Sequence, residues 1–272
     1  MRSTTILGMV AGLGLLAAAV VATAHDVAMF LNGPGIVIVL GGTVAATLMS
    51  YSVQEIGGAF RAFWSVLRNE DRMRRADVLE VIDIARIRHH GDIHDAETAI
   101  KQVRSPFLRT GLQMVIDGAP TSRVVDVLDW RISRLKAREF AQSDVFSVMA
   151  TYAPAFGMVG TLLGLVNMLR DLGTAGIEEI ATNLALALVT TFYGIVLANA
   201  VFKPMAVKLR RGTQERVAVL NLIKEAVVMF SEKTGPYQLQ YSLESFLGPE
   251  AVASLQTARS SAVVAAGDAH VS

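Results

Sequence analysis

The sequence contains no cysteine, which excludes a disulfide framework, a thiolate nucleophile and any cysteine-ligated metal or iron–sulfur centre. Aromatic residues make up only 7%, too few to offer stacking platforms for single strands. The formal net charge of +1 supplies no basic footprint for a phosphate backbone, so no nucleic acid is expected as a partner. Charge of either sign is scarce: 18% of residues are charged and 52% hydrophobic in a chain of 272, with a mean hydropathy of +0.44. Those proportions fit a membrane protein better than a soluble domain.

Four stretches lack Asp, Glu, Lys, Arg and His altogether: Thr4 to Ala24, Gly35 to Ser52, Val145 to Leu169 and Ile180 to Phe202. Each is long enough, as a helix, to cross a hydrocarbon core of roughly 30 Å. The first two are joined by residues 25–34, which end in Asn32-Gly33-Pro34-Gly35, and the last two by Arg170 to Glu179. A secretory signal is an alternative reading of the first stretch, since Arg2 precedes it and Ala22-Thr23-Ala24 resembles a cleavage site. Its apolar run exceeds the usual h-region of about 7 to 15 residues and a second span follows at once, which favours a helical hairpin. All 25 basic residues except Arg170 lie at Arg2, between residues 52 and 143, or from Lys203 onward. The positive-inside rule then places both termini and the central segment in the cytoplasm. The fold class expected is all-α, a polytopic membrane protein with four transmembrane helices in two hairpins and a helical cytoplasmic domain. The segments are a first hairpin (1–52), a cytoplasmic helical domain (53–143), a second hairpin (144–203), cytoplasmic C-terminal helices (204–252) and a disordered tail (253–272).

Within 53–143, apolar residues recur at helical spacing, as at Val78, Val81 and Ile82. A helix is predicted to start at Thr121-Ser122, to run through Val124, Val125, Val127, Leu128, Ile132 and Leu135, and to be able to continue into the third span. The tail carries an amphipathic pattern at Val217, Leu220, Ile223, Val227 and Phe230. His89, His90 and His94 are the best metal candidates, yet no carboxylate–histidine pattern is complete around them; a solvated loop is the better reading and no metal is expected. Gly12-Leu13-Gly14 lies in a span, outside the strand-turn-helix setting of a nucleotide loop.

In the third span Ala153, Gly157, Gly160 and Gly164 form one helical stripe, and in the fourth Ala187, Thr191, Gly194 and Ala198 repeat the spacing. Close helix packing accounts for the glycines and alanines. Thr161, Thr190 and Thr191 gather at similar depth, which points beyond packing, and Pro154 removes a backbone donor from the third span and makes a candidate hinge. None of the spans holds an Asp, Glu, Lys, Arg or His, whereas cation carriers normally need an anionic or protonatable group in the membrane. If the chain moves ions, a partner supplies the carboxylate, and hydroxyls and carbonyls here complete the coordination. No nucleophile is paired with a base in the spans, so an enzyme is not expected and no cofactor is called for.

The runs Ala153-Pro154-Ala155-Phe156-Gly157-Met158-Val159-Gly160-Thr161-Leu162-Leu163-Gly164 and Ala185-Leu186-Ala187-Leu188-Val189-Thr190-Thr191-Phe192-Tyr193-Gly194, with Phe202-Lys203-Pro204 and Ile36 to Thr43, resemble the MotA/PomA flagellar stator subunits. These belong to the MotA/TolQ/ExbB ion-channel group. The resemblance covers residues 5 to 245. It implies an inner-membrane homopentamer around the helices of a MotB/PomB-type partner that carries the essential Asp, embedded in membrane lipid, with the cytoplasmic domain pushing on the rotor switch protein FliG. It assigns the ion pathway to Thr161, Thr190 and Thr191, and conformational coupling to Pro154 and Pro204. The rotor contact falls to Arg88 and, less directly, to Glu97: alignment on Gly91 puts Ala96 where the family has its first Glu, with Glu97 beside it. A solvated surface role for Arg88 and Glu97 stays open. The threonine set is similar to the sodium-type PomA branch and favours Na+ over H+ as the transported ion. The competing readings are an ExbB/TolQ-like energy-transducing proton channel subunit and a non-conducting membrane scaffold.

Overall fold

The computed structural model describes residues 2–23, 27–68, 98, 100–171, 176–232, 234 and 241. Every regular element among them is helical. In chain order the main helices are α1 (Arg2–Thr23), α2 (Gly33–Ser50), α3 (Val53–Arg68), α4 (Pro106–Ile116), α5 (Thr121–Asp171) and α6 (Ile177–Ser231). Three of these are long and apolar enough to cross a membrane: α2, α5 and α6. The first predicted span falls on α1, whose apolar run is the shorter Val10–Thr23.

Local chemistry explains where the helices begin and end. Asn32 caps α2, its side-chain oxygen accepting from the Gly35 N–H at 3.0 Å, and Pro34 occupies the first turn, where no donor is needed. A capping box opens α3: Ser52 N–H and Oγ donate to Glu55 Oε2 at 2.8 and 2.7 Å, and Glu55 N–H returns to Ser52 Oγ at 3.3 Å. Those bonds to the charged form, the hydroxyl's first, hold the Glu55 carboxyl below the ordinary glutamate range. At the end of α4, Gly118 takes φ of +78°, with Gly118 N–H on the Val115 carbonyl and Ala119 N–H on that of Met114. This is a left-handed C-terminal cap that glycine adopts without strain.

The chain divides into two units, Met1–Asn69 with Arg138–Thr213, and Glu70–Ala137 with Gln214–Ser272. The first unit has a core of Ala59 and Phe63 from α3, Val145, Phe146 and Met149 from α5, and Ala198, Phe202, Met205 and Leu209 from α6. Phe60 meets Phe146 edge-on at 5.0 Å. Phe146 is completely buried. The second unit packs Leu108 and Leu112 of α4 against Val124 and Leu128 of α5 and Ile223, Val227 and Phe230 of α6. The helical pattern read from residue 121 onward is thus present, and the helix runs unbroken from Thr121 through the third predicted span to Asp171.

The structure adds a detail at Pro204 that the sequence reading did not address. The fourth span and the tail pattern are parts of a single helix, α6, and proline does not divide them. The backbone widens instead: Leu197–Phe202 is a π turn, in which the Lys203 N–H reaches five residues back to the Ala198 carbonyl. Pro204 has no N–H to give and its ring crowds the carbonyl four residues earlier, so a wide turn just ahead lets the helix pass.

Candidate functional site in the α5–α6 seam

In the first unit α5 and α6 approach so closely that a Cβ would not fit at several glycines of the contact. A Cβ on Gly157 would lie 3.0 Å from the Thr190 carbonyl oxygen, and one on Gly164 would lie 2.8 Å from that of Asn183. At Gly194 it would stand 2.6 Å from the Ala153 carbonyl and 3.0 Å from the Cα of Pro154, so glycine is what lets α6 meet the proline turn. Gly160 receives the Thr190 side chain, which would be only 2.6 Å from an added Cβ. The small-residue stripes therefore form one continuous seam, with van der Waals contact and short backbone approach in place of a hydrophobic drive.

Three hydroxyls lie in that seam. Thr161 Oγ1 is 3.1 Å from the carbonyl of Gly157 on its own helix, 3.1 Å from that of Ala187 across the seam, and hydrogen-bonded with Thr191 Oγ1. Thr191 Oγ1 is also 3.4 Å from the Gly157 carbonyl. Thr190 donates to Ala187 at 2.8 Å and is fully buried, its methyl 3.0 Å from where a Cβ on Gly35 of α2 would be. The structure thus brings together all three threonines named from the sequence, with Thr161 and Thr191 in direct contact and Thr190 wedged between three helices.

Proton counting gives this cluster its chemistry. A threonine hydroxyl has one proton and accepts through two lone pairs. Thr161, Thr190 and Thr191 together have three protons among five oxygens: their own three and the carbonyls of Gly157 and Ala187. Each carbonyl lies in a helix and also serves that backbone ladder. The surplus is in lone pairs, hard oxygen of the kind that can coordinate a small cation or a hydrated proton.

Pro154 is four residues beyond Ala150, whose carbonyl it leaves without its helical donor. Ala150 lines a cavity of about 310 Å³ together with Ser147, Thr151, Ala198, Asn199, Lys203, Ala206, Val207 and Arg210. Ala198 and Asn199 of the π turn and Lys203, next to Pro204 in sequence, line this space, which lies about 15 Å along α5 from Thr161. Arg210 at its edge pairs with Asp144 at 3.2 Å.

Sequence reasoning passed over Tyr193. Its hydroxyl accepts from the Asn32 N–H at 3.0 Å and donates to the Phe30 carbonyl, pinning the connection before α2 to α6. A polar-tipped aromatic inside an otherwise apolar run was the available signal. Thr43 and Thr47 of α2 are also buried, but each hydroxyl bonds its own helix, to Val39 and Thr43 at 2.6 and 2.7 Å. Arg88 and Glu97 lie outside the described residues, as do His89, His90 and His94.

Residues 99–221 match the family model described as the MotA/TolQ/ExbB proton channel family. Motility protein A of Cereibacter sphaeroides is 30% identical over 222 residues, spanning 80% of this chain and 86% of that protein. Chemotaxis protein PomA of Vibrio alginolyticus is 28% identical over 250 residues, spanning 91% and 96%. The fold is similar to that in a structure of MotAB from C. jejuni, with a TM-score of 0.82 at 21% identity over 91% of this chain and 96% of that one.

Proposed function

The chain belongs to the MotA/TolQ/ExbB proton channel family, among its motility protein A members, and from that premise we propose that it is the ion-conducting stator subunit of a flagellar motor. It is an inner-membrane protein and not an enzyme. The observation that carries the proposal is the Thr161–Thr191 oxygen cluster in a glycine seam. The four spans read from the sequence hold no carboxylate, so the cluster needs one from elsewhere. A MotB/PomB-type partner whose membrane Asp sits against this seam fits that requirement, in an assembly of five copies with both termini cytoplasmic and four spans, α1 included.

The cation is sodium rather than a proton in this reading, because hard oxygens suit an alkali ion, which exchanges water for hydroxyls and carbonyls at modest cost. Beyond the cluster the cavity bordered by Thr151 and Asn199 gives the ion water again on the cytoplasmic side. Pro154 and Pro204 are coupling points: each interrupts the backbone ladder of its helix, Pro154 at the Ala150 carbonyl, so ion occupancy can change the bend of α5 and α6. One elementary charge falling through about 100 mV releases about 2.3 kcal/mol, so useful torque needs a succession of ions. Arg88 and Glu97 are assigned to contact with the rotor protein FliG, within the cytoplasmic segment 53–143.

The test is swimming speed in cells whose only stator is this chain with its cognate partner, in sodium medium and in potassium medium of equal ionic strength and pH. Speed that collapses without sodium is expected. Equal speed in both assigns the proton as the ion, and immobility in both, with the protein inserted, removes the stator reading.

A further inference from the structure

Charge is unevenly compensated where the fourth predicted span ends. The cavity of about 310 Å³ in the first unit is lined by two cations, Lys203 and Arg210, and by no acidic residue. Arg210 has one carboxylate, Asp144 at 3.2 Å, and its guanidinium lies over the Phe140 ring at 5.7 Å. The Lys203 ammonium has no hydrogen bond or ion pair among the described residues. One fixed positive charge is therefore left over, directly after Phe202, the last residue of the span. A lysine at the end of a span reaches towards the headgroups whatever lies beside it. This one also lines a cavity whose walls hold further polar groups.

The two walls differ in what they offer. On α6, Lys203 has three N–H donors and Arg210 has donors beyond the one given to Asp144. Asn199 spends one amide proton on the Ile195 carbonyl at 3.0 Å and keeps the second. On α5, Ser147 and Thr151 give their single protons to the carbonyls of Ser143 and Ser147, at 3.4 and 3.1 Å, so each hydroxyl has only lone pairs left. Ala150 adds a carbonyl that Pro154 leaves without its helical donor. Donors on one wall suit the oxygens of an anion, and acceptors on the other suit hydroxyl groups attached to it. Ala206 and Val207 make part of the lining apolar, and Val207 is 46% exposed. Basic pockets between membrane helices on the cytoplasmic side are the kind that hold lipid headgroups.

We propose that this cavity binds the headgroup of an anionic glycerophospholipid of the inner leaflet, with the phosphate on Lys203, Arg210 and Asn199 and free hydroxyls, as in phosphatidylglycerol, on the α5 wall. A zwitterionic lipid brings its own cation and leaves the excess charge in place. A cation leaving the oxygen cluster by this cavity meets the Lys203 ammonium, and a lipid phosphate beside it offsets that repulsion. The inference rests on the membrane reading above, with Lys203 on the cytoplasmic side.

The complex with its cognate partner, reconstituted in phosphatidylcholine nanodiscs with a minor share of phosphatidylglycerol and then extracted in mild detergent, is tested by native mass spectrometry for the phospholipid it keeps. Wild type is expected to keep phosphatidylglycerol in preference to phosphatidylcholine. Lys203→Gln is expected to lower that preference about fivefold, the effect of one basic contact to an anionic lipid. Lys203→Arg should keep it, and Arg211→Gln, an exposed position of α6 outside the cavity, should leave it unchanged. Equal retention of the two lipids by wild type overturns the inference, and that comparison needs no variant to fold. A preference that Lys203→Gln and Arg211→Gln lower alike is an effect of general surface charge and overturns the site as well. Discs without phosphatidylglycerol, titrated with inorganic phosphate, separate the other source of the same chemistry. Phosphate bound in a Lys203-dependent way, with no lipid preference in the first experiment, gives the cavity to a free anion and overturns the lipid. All these outcomes leave the stator reading to the swimming test. Because the chain has no cysteine, Arg211→Cys reports sidedness: labelling by an impermeant maleimide is expected only in inverted vesicles, and labelling in spheroplasts overturns the cytoplasmic placement together with the inference.

Discussion

At Thr161 one hydroxyl proton faces three acceptors, and at Thr191 one faces two. Valine has the same shape as threonine without the oxygen, so Thr191→Val removes a ligand and a donor while keeping the seam filled. We expect Thr191→Val to stop swimming with the protein still at normal level in the membrane, and Thr191→Ser to retain most of the speed, as measured by tracking alongside an immunoblot of the membrane fraction. Loss of the protein itself from the membrane would make the hydroxyl a folding determinant instead. The seam glycines respond differently. Gly160→Ala drives a methyl to 2.6 Å from the Thr190 side chain, whereas Gly212→Ala meets nothing nearer than Val66 at 3.9 Å. The first is expected to cost about 1–3 kcal/mol through overpacking and the second to stabilise by about 0.5–1 kcal/mol through backbone entropy. Thermal unfolding of the extracted protein separates them by the sign of the shift in midpoint. Spacing along the chain does not tell these glycines apart, because only the partner helix decides which one lacks room.

Helix boundaries carry a pH dependence that belongs to one element. The Glu55 carboxylate closes the cap of α3 and is held below its ordinary range by the Ser52 hydroxyl and N–H. A group whose folded pKa is depressed contributes stability above its unfolded pKa, and that contribution is lost as pH falls through the folded value. The α3 cap is therefore expected to be intact at neutral pH and to loosen only below the usual glutamate range. In Ser52→Ala the Glu55 titration moves up towards the ordinary value and the first-turn amides exchange faster at neutral pH, both readable by NMR. An unmoved titration would show that the cap does not hold the charge. At Pro204 the corresponding experiment is Pro204→Ala, which restores an N–H and removes the ring that crowds the preceding turn. The π turn Leu197–Phe202 is then expected to relax to ordinary α-helix, turning the following segment of α6 by about 100° per residue of shifted register. Motility should fall in this variant with thermal stability equal or higher, and reduced stability would mean that the wide turn is a packing feature. Element positions were legible because charge-free runs and helical periodicity are written residue by residue. The widening at Leu197–Phe202 was not, since no residue pattern marks where the ladder opens ahead of Pro204.

On the scale of the whole molecule, each of the two units is assembled from chain segments far apart in sequence, and linear segmentation into hairpins and cytoplasmic stretches does not reveal that pairing. The three threonines could be named from the sequence because they stand out against an apolar background, while Tyr193 was hidden among residues that looked like packing. Their joint geometry depends on a seam between α5 and α6 that only the folded chain creates. If identical seams are arranged in a ring around one partner, the ring and not the single chain is the unit of function. A mixture experiment follows from that. With Thr191→Val and wild-type chains co-expressed in equal amounts, random assembly of five copies leaves only about 3% of rings free of the variant. If one defective seam stalls a ring, swimming should fall far below half at equal expression, and the variant should act dominantly over a titration of its share. A speed that declines in proportion to the wild-type fraction would instead mean that each seam passes ions independently of its neighbours, and rotation of a closed ring would lose its support.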